Sequence, residues 1–137
     1  MISKSVEETI GIGAKLAGKL KAGDVVALIG DLGSGKTVLT KGIAKGLGVR
    51  NVRYVNSPTF VIIKEYRGKL PLYHFDLYRL SKSSCLDAEN FEEYFYGDGV
   101  AVVEWADKIR RLLPKKHIEV RLSVAGEGTR KIAIKKK

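Results

Sequence analysis

The sequence predicts one α/β domain over residues 1–137, with a mixed, partly parallel central sheet in a three-layer arrangement. Three observations predict it. Val25-Val26-Ala27-Leu28-Ile29 is a continuous, β-branched apolar run, the pattern of a strand covered on both faces. A glycine-rich loop follows this run directly and opens a helical stretch. Val100–Val103 repeats the buried-strand pattern and ends in an acid, Glu104.

The elements follow in order. Ser5–Leu20 reads as a helix: Ser5 can cap it, Glu7 and Glu8 load its first turn, and Ile10, Leu16 and Leu20 form an apolar stripe. Lys21–Asp24 is a turn before the strand Val25–Ile29. Gly30–Gly35 is the glycine loop, and Val38–Leu47 a helix closed by Gly48. Arg50–Thr59 has no period and holds the turn signal Asn56-Ser57-Pro58-Thr59. Phe60–Tyr66 and Leu70–Asp76 read as strands of a hairpin joined by Arg67-Gly68-Lys69. Leu86–Phe95 is a short acidic helix, and Asp107–Leu113 is helical up to Pro114. Ile118–Val124 and Lys131–Ile134 alternate as edge strands around Gly126-Glu127-Gly128.

Composition narrows the class. Hydrophobic residues make up 45% and charged residues 29%, as in a globular protein able to build its own core. The longest apolar runs fall far short of the roughly 20 residues a membrane helix needs, so a cytoplasmic location is expected. Cys85 is the one cysteine, which excludes an internal disulfide, and no histidine lies near it to suggest a catalytic thiol. Net charge is +10, a balance that favours polyanions such as RNA or nucleotide phosphates. No stretch interleaves Lys or Arg with stacking aromatics in an RNA-binding pattern.

Gly30-Asp31-Leu32-Gly33-Ser34-Gly35-Lys36-Thr37 fits G-x-x-x-x-G-K-[ST] without a gap. Glycines let the backbone turn its N–H groups toward a phosphate. The helix opening near Lys36 adds its positive dipole end at the same place. In this chemistry Lys36 reaches the β- and γ-phosphates and the Thr37 hydroxyl ligates Mg²⁺. A buried strand before the loop and a helix after it are the context the motif requires, so a P-loop NTPase-like fold is expected.

An acid at the end of a neighbouring strand completes the metal shell in this class. Two candidates stand open, Glu104 and Asp76, each closing an apolar strand where α/β sheets bind ligands. His74 reads as a partly exposed structural histidine, pointed away from the face used by the neighbours of Asp76. Trp105 reads as a packing residue able to wall the site. Thr59 lies in an aperiodic loop of the kind that orders around a γ-phosphate. No N-K-x-D tetrapeptide for guanine is present, which favours ATP.

Four segments coincide in order and spacing with a known family. They are Gly30–Thr37, Ser57-Pro58-Thr59-Phe60, His74-Phe75-Asp76-Leu77-Tyr78-Arg79-Leu80 and Val103-Glu104-Trp105. With Glu92-Glu93-Tyr94 before Gly97-Asp98-Gly99, the sequence resembles the TsaE (YjeE) family along nearly its whole length. That family is the small bacterial P-loop ATPase of tRNA threonylcarbamoyladenosine synthesis. The resemblance implies that Lys36 and the Leu32, Gly33, Ser34, Gly35 and Thr37 backbone hold the phosphates of ATP, and that Thr37 and Glu104 bind Mg²⁺. It implies Asp76 as partner of the attacking water or of the metal shell, and a switch-like loop around Ser57 and Thr59. Trp105 would border the site, the backbone near Val6 and Thr9 would touch adenine, and Arg130 would reach the nucleotide from the C-terminal hairpin. Val38 stands where the family often has a second Thr or Ser, which leaves metal binding intact. The implied partners are the TsaB–TsaD pair, with TsaC making the threonylcarbamoyl-adenylate and tRNA lying beside the basic surface. The implied activity is a slow, partner-stimulated ATP hydrolysis with no transfer of the threonylcarbamoyl group; the sequence shows no obvious built-in arginine finger, Arg79 and Arg130 being the candidates. A small-molecule kinase is the weaker alternative, because few residues remain to build an acceptor pocket and lid. A nucleotide-gated binding module is the other.

Overall fold

The computed structural model describes residues 1–50, 63–78 and 88–137. Its strands are β1 (Ile2–Ser3), β2 (Val25–Ile29), β3 (Ile63–Tyr66), β4 (Leu72–Asp76), β5 (Val100–Glu104), β6 (Ile118–Gly126) and β7 (Thr129–Lys136). Its helices are α1 (Val6–Ala17), α2 (Lys36–Gly46) and α3 (Ala88–Phe95), with a 3₁₀ segment at Ala106–Leu112. The strands form a seven-stranded sheet in the order β1-β7-β6-β2-β5-β4-β3. The central four, β6-β2-β5-β4, run parallel, and the pairs at both ends are antiparallel. The expected mixed, partly parallel α/β sheet is therefore present.

The parallel centre is apolar because both faces are covered. On one face Val26, Leu28, Val100, Val102 and Val120 pack against Leu16 of α1 and Leu39 and Ile43 of α2. On the other, Val25, Ala27, Phe75 and Val103 pack against Phe91 and Phe95 of α3 and Ile109 of the 3₁₀ segment. Phe75 anchors that second face, with ring centroids 5.5 Å from Phe91, 5.6 Å from Tyr94 and 5.5 Å from Phe95.

One expectation is corrected. The strand beginning at Ile118 is not an edge: β6 lies between β7 and β2. Its pairing with β2 ends at Ile29–Arg121, and the remainder pairs with β7 alone. That overhang is largely exposed, and the apolar–polar alternation of Ile118–Val124 is what the sequence registers as an edge. β7 in turn is covered by the two-residue β1, too short to leave a periodic signal.

Helix α1 begins where the sequence places it. Ser5 caps it in extended backbone, its Oγ accepting from the Glu8 N–H at 3.0 Å. Glu8 reaches back to accept from the Lys4 N–H at 2.6 Å, a close variant of the capping box. Leu16 and Leu20 of the expected stripe are buried in one cluster with Leu39 and Ile43 of α2, and small residues bring the two helices close. A methyl added at Gly42 would meet the Ile10 carbonyl oxygen at 2.3 Å, and one at Gly13 the Leu39 carbonyl oxygen at 2.5 Å. Backbone thus lies against backbone, drawing the start of α1 up to the start of α2. Among the described residues no helix is long and apolar enough to cross a membrane.

Tyr73 pins β4 to the turn before β5. Its hydroxyl donates to Asp98 Oδ1 at 2.6 Å, and this bond, then burial, pushes its pKa up to about 12.

Two outcomes are expected. Gly42→Ala gains at most about 1 kcal/mol of helix propensity but overpacks two backbones at a cost of about 1–3 kcal/mol, so the urea midpoint should fall. An unchanged or higher midpoint would contradict the close approach of the helices. For Tyr73 the folded pKa stands above the unfolded value of 10.0, so its contribution is full below about pH 10 and is lost as pH rises toward about 12. The stability gap between wild type and Tyr73→Phe, measured by urea unfolding, should therefore shrink from pH 8 to pH 11.

Candidate active site

The loop Gly30–Gly35 joins β2 to α2. Gly33 and Gly35 hold φ of +82° and +102°, conformations that only glycine adopts without strain. Gly35 is the N-cap of α2, and the helical ladder begins with Leu39 N–H to the Gly35 carbonyl at 2.9 Å. The helix opens at Lys36, where the phosphate-loop motif places it. Its first turn offers N–H groups outside the ladder and the positive end of the helix dipole.

Lys36 is 4% exposed, and its Nζ donates to the carbonyl oxygens of Gly30 at 2.6 Å and Asp31 at 2.8 Å. Burial lowers its pKa, opposed by the charges of Glu104, Asp76, Asp31 and Asp107. The ammonium lies 4.1 Å from the centroid of the Trp105 ring. Trp105 holds φ of 61°, uncommon for a bulky residue, directly after β5. Tyr78 packs beside it, ring centroids 5.1 Å apart, so Trp105 walls the site as expected.

The acids come together through strand register. β4 and β5 run parallel with Asp76 opposite Glu104, and Leu28 flanks Glu104 on the β2 side. Glu104 is 2% exposed. Thr37 Oγ1 donates to both its oxygens, at 3.0 Å to Oε1 and 3.2 Å to Oε2, tying α2 to β5. Asp76 is half-buried and accepts from the Tyr78 N–H at 3.0 Å.

His74 departs from expectation. It is fully buried, and its Nε2 donates to Glu104 Oε2. Alternation puts residues 74 and 76 on the same face of β4, so the two-residue spacing was the signal for this placement. Its Nδ1 has no hydrogen-bond partner among the described residues.

A cleft of about 470 Å³ opens over these groups. Val6, Thr9, Leu32, Gly33, Gly35, Lys36, Thr37, Asp76, Glu104, Trp105 and Arg130 all line it. The side chain of Ser34 turns inward instead, 1% exposed, with its Oγ 3.4 Å from Lys36 Nζ. The Thr9 hydroxyl is engaged with Ser3 Oγ at 2.7 Å, so Thr9 borders the cleft with that hydroxyl already bonded. Lys4, Ser5, Val38, Tyr78 and Gly128 also line it, and the sequence assigns none of them a binding role. Lys4, Ser5 and Gly128 arrive from α1's start and the β6–β7 turn, which carry no local motif, whereas Val38 directly follows the phosphate loop and Tyr78 belongs to the His74–Leu80 string. Ser57, Thr59, Arg79 and Cys85 lie outside the described residues.

Among the described residues no three His, Cys, Asp or Glu side chains stand close enough to hold a metal by themselves. One hydroxyl and one or two carboxylates beside a phosphate loop nevertheless suit Mg²⁺, which takes its remaining ligands from phosphate oxygens and water.

Fold and cleft together define a phosphate-loop α/β protein. The family model for "Threonylcarbamoyl adenosine biosynthesis protein TsaE" matches residues 3–132, and the chain belongs to the TsaE family. It is 50% identical to the tRNA threonylcarbamoyladenosine biosynthesis protein TsaE of Bacillus subtilis (strain 168) over 127 residues, 92% of this chain and 78% of that protein. It is 37% identical to the TsaE of Treponema pallidum (strain Nichols), covering 97% of each. The crystal structure of Bacillus subtilis YdiB superposes with a TM-score of 0.79 at 41% identity, over 98% of this chain and 82% of that one. The family's role in tRNA threonylcarbamoyladenosine biosynthesis is thus the role of the family to which this chain belongs.

Thr37→Val removes the donor that joins α2 to β5 and leaves a buried carboxylate less satisfied. The expected loss is about 1–3 kcal/mol of unfolding free energy by urea titration. Wild-type stability in this variant would mean that the bridge carries no weight.

Proposed function

We propose that the protein binds ATP with Mg²⁺ and hydrolyses it as a helper subunit acting on the TsaB–TsaD pair. The observation that carries this reading is the convergence of Lys36, the Thr37–Glu104 bridge and Asp76 on one cleft beside a glycine loop. The amides of Leu32–Thr37 and the ammonium of Lys36 would cradle the β- and γ-phosphates. Thr37 and Glu104 would hold Mg²⁺, which when bound neutralises charge on the β- and γ-oxygens. Asp76, beside Glu104 and half-buried, is suited to orient the attacking water. Arg130 and Trp105 line the same cleft, and α1 brings Val6 and Thr9 to the end where adenine would lie.

Phosphoryl transfer of this kind rests on positioning and charge stabilisation, so a chain that relies on partner contacts turns over slowly alone. Hydrolysis would then serve the TsaB–TsaD pair between rounds of modification, while TsaC supplies the threonylcarbamoyl-adenylate.

Lys36→Ala should weaken ATP–Mg²⁺ binding by about 100-fold or more in calorimetry, as expected for losing a charge-assisted contact in a buried site. Glu104→Gln should keep nucleotide binding and lose about 10²–10³ of the hydrolysis rate measured with TsaB–TsaD present. ATP producing no heat with wild-type protein, Mg²⁺ and the partner subunits would end this proposal.

A further inference from the structure

His74 stands behind the cleft and does not line it. The ring is fully buried on the sheet face that packs against α2, with Leu72 two residues before it on β4 and Val102 beside it on β5. Leu72 and Val102 are apolar, while Lys64 of β3 stands opposite His74 on the other side and Asp76 follows on the same face. The histidine keeps Nδ1 without a partner among the described residues while Nε2 meets Glu104 Oε2. A carboxylate has no proton to give, so the ring N–H is the donor. A buried polar side chain that leaves one nitrogen unsatisfied is best explained by what the other nitrogen does.

That other nitrogen sets the direction of a second group. Glu104 accepts from His74 on one side and from Thr37 Oγ1 on the other, at 3.0 and 3.2 Å. A hydroxyl has one proton and two lone pairs. A hydroxyl that gives its proton to Glu104 meets any further partner as an acceptor, and Thr37 lines the cleft. A carboxylate held from one side only could rotate, and the hydroxyl would turn with it.

Resting on the ATP–Mg²⁺ reading, we propose that His74 is a positioning residue that fixes the Glu104 carboxylate and, through it, the Thr37 hydroxyl for the cation. His74 does not touch nucleotide or metal. It acts on metal affinity and leaves the phosphate loop's own grip on the nucleotide alone.

The test compares His74→Leu, His74→Asn and His74→Gln, each checked for folding by circular dichroism. Binding of a non-hydrolysable ATP analogue is measured by calorimetry with and without Mg²⁺, and Mn²⁺ in the ternary complex is read by electron paramagnetic resonance. The Leu and Asn variants should bind the metal-free analogue within about twofold of wild type and lose about tenfold or more of the metal-dependent gain, while Gln, whose amide can reach Glu104, recovers most of it. The Mn²⁺ spectrum should broaden in Leu and Asn and return in Gln. If Leu does not fold, the Asn–Gln contrast decides. A metal-dependent gain unchanged in Leu and Asn, or no better in Gln than in Asn, overturns the role of His74 alone. Wild-type protein that fails to bind the analogue, or gains nothing from Mg²⁺, overturns the nucleotide reading and this inference with it.

Discussion

The hydrogen bonds from Thr37 Oγ1 to Glu104 hold the two halves of the site together. Thr37 belongs to the helix that the glycine loop opens, and Glu104 to the strand next to the one that feeds that loop. Neither residue could be aimed without the parallel pairing of β2 with β5, which brings the ends of both strands to one edge of the sheet. Parallel strands need crossover connections, and α2 lies on the first of these, packed over the same apolar face it helps to bury. The site is therefore a consequence of how the core is covered.

Electrostatics sharpen that geometry. The sequence carries a net charge of +10, yet the cleft gathers Asp76 and Glu104 around one buried ammonium, Lys36. Burial disfavours the charge on Lys36 and those carboxylates favour it, with burial the larger effect. The ammonium is meanwhile held by two loop carbonyls and the Trp105 ring. Its N–H donors are thus turned to Gly30 O, Asp31 O and, at 3.4 Å, Ser34 Oγ, so an incoming anion would compete with the loop for them. The close packing of α1 on α2 through Gly13 and Gly42 adds the start of α1 as the cleft's other wall.

Much of this was legible in the residues. The run Val25–Ile29 coincides with β2 because a strand covered on both faces has no polar phase to blur it. Glu104 and Asp76 were marked as strand-end acids, and both line the cleft. His74 is buried and not partly exposed because it shares with Asp76, two residues on, the face of β4 turned to the core. The edge assignment of β6 fails because Ile118–Val124 alternates in sequence although β2 pairs with its first half. Lys4 and Gly128 carry no local signal because they join the cleft only when distant segments meet.

The sequence by itself determined the strand, the glycine loop and the helix that follows, since strand pairing apolarity, positive φ and helix capping are local properties of consecutive residues. It also carried the motifs that mark the TsaE family. Only the tertiary structure decided that Asp76 stands opposite Glu104, that His74 and Thr37 grip one carboxylate from two sides, and that Arg130 reaches the loop's cleft. Those relations depend on register and on crossovers between segments far apart in the chain. No local pattern encodes them, because they exist only once the sheet is paired.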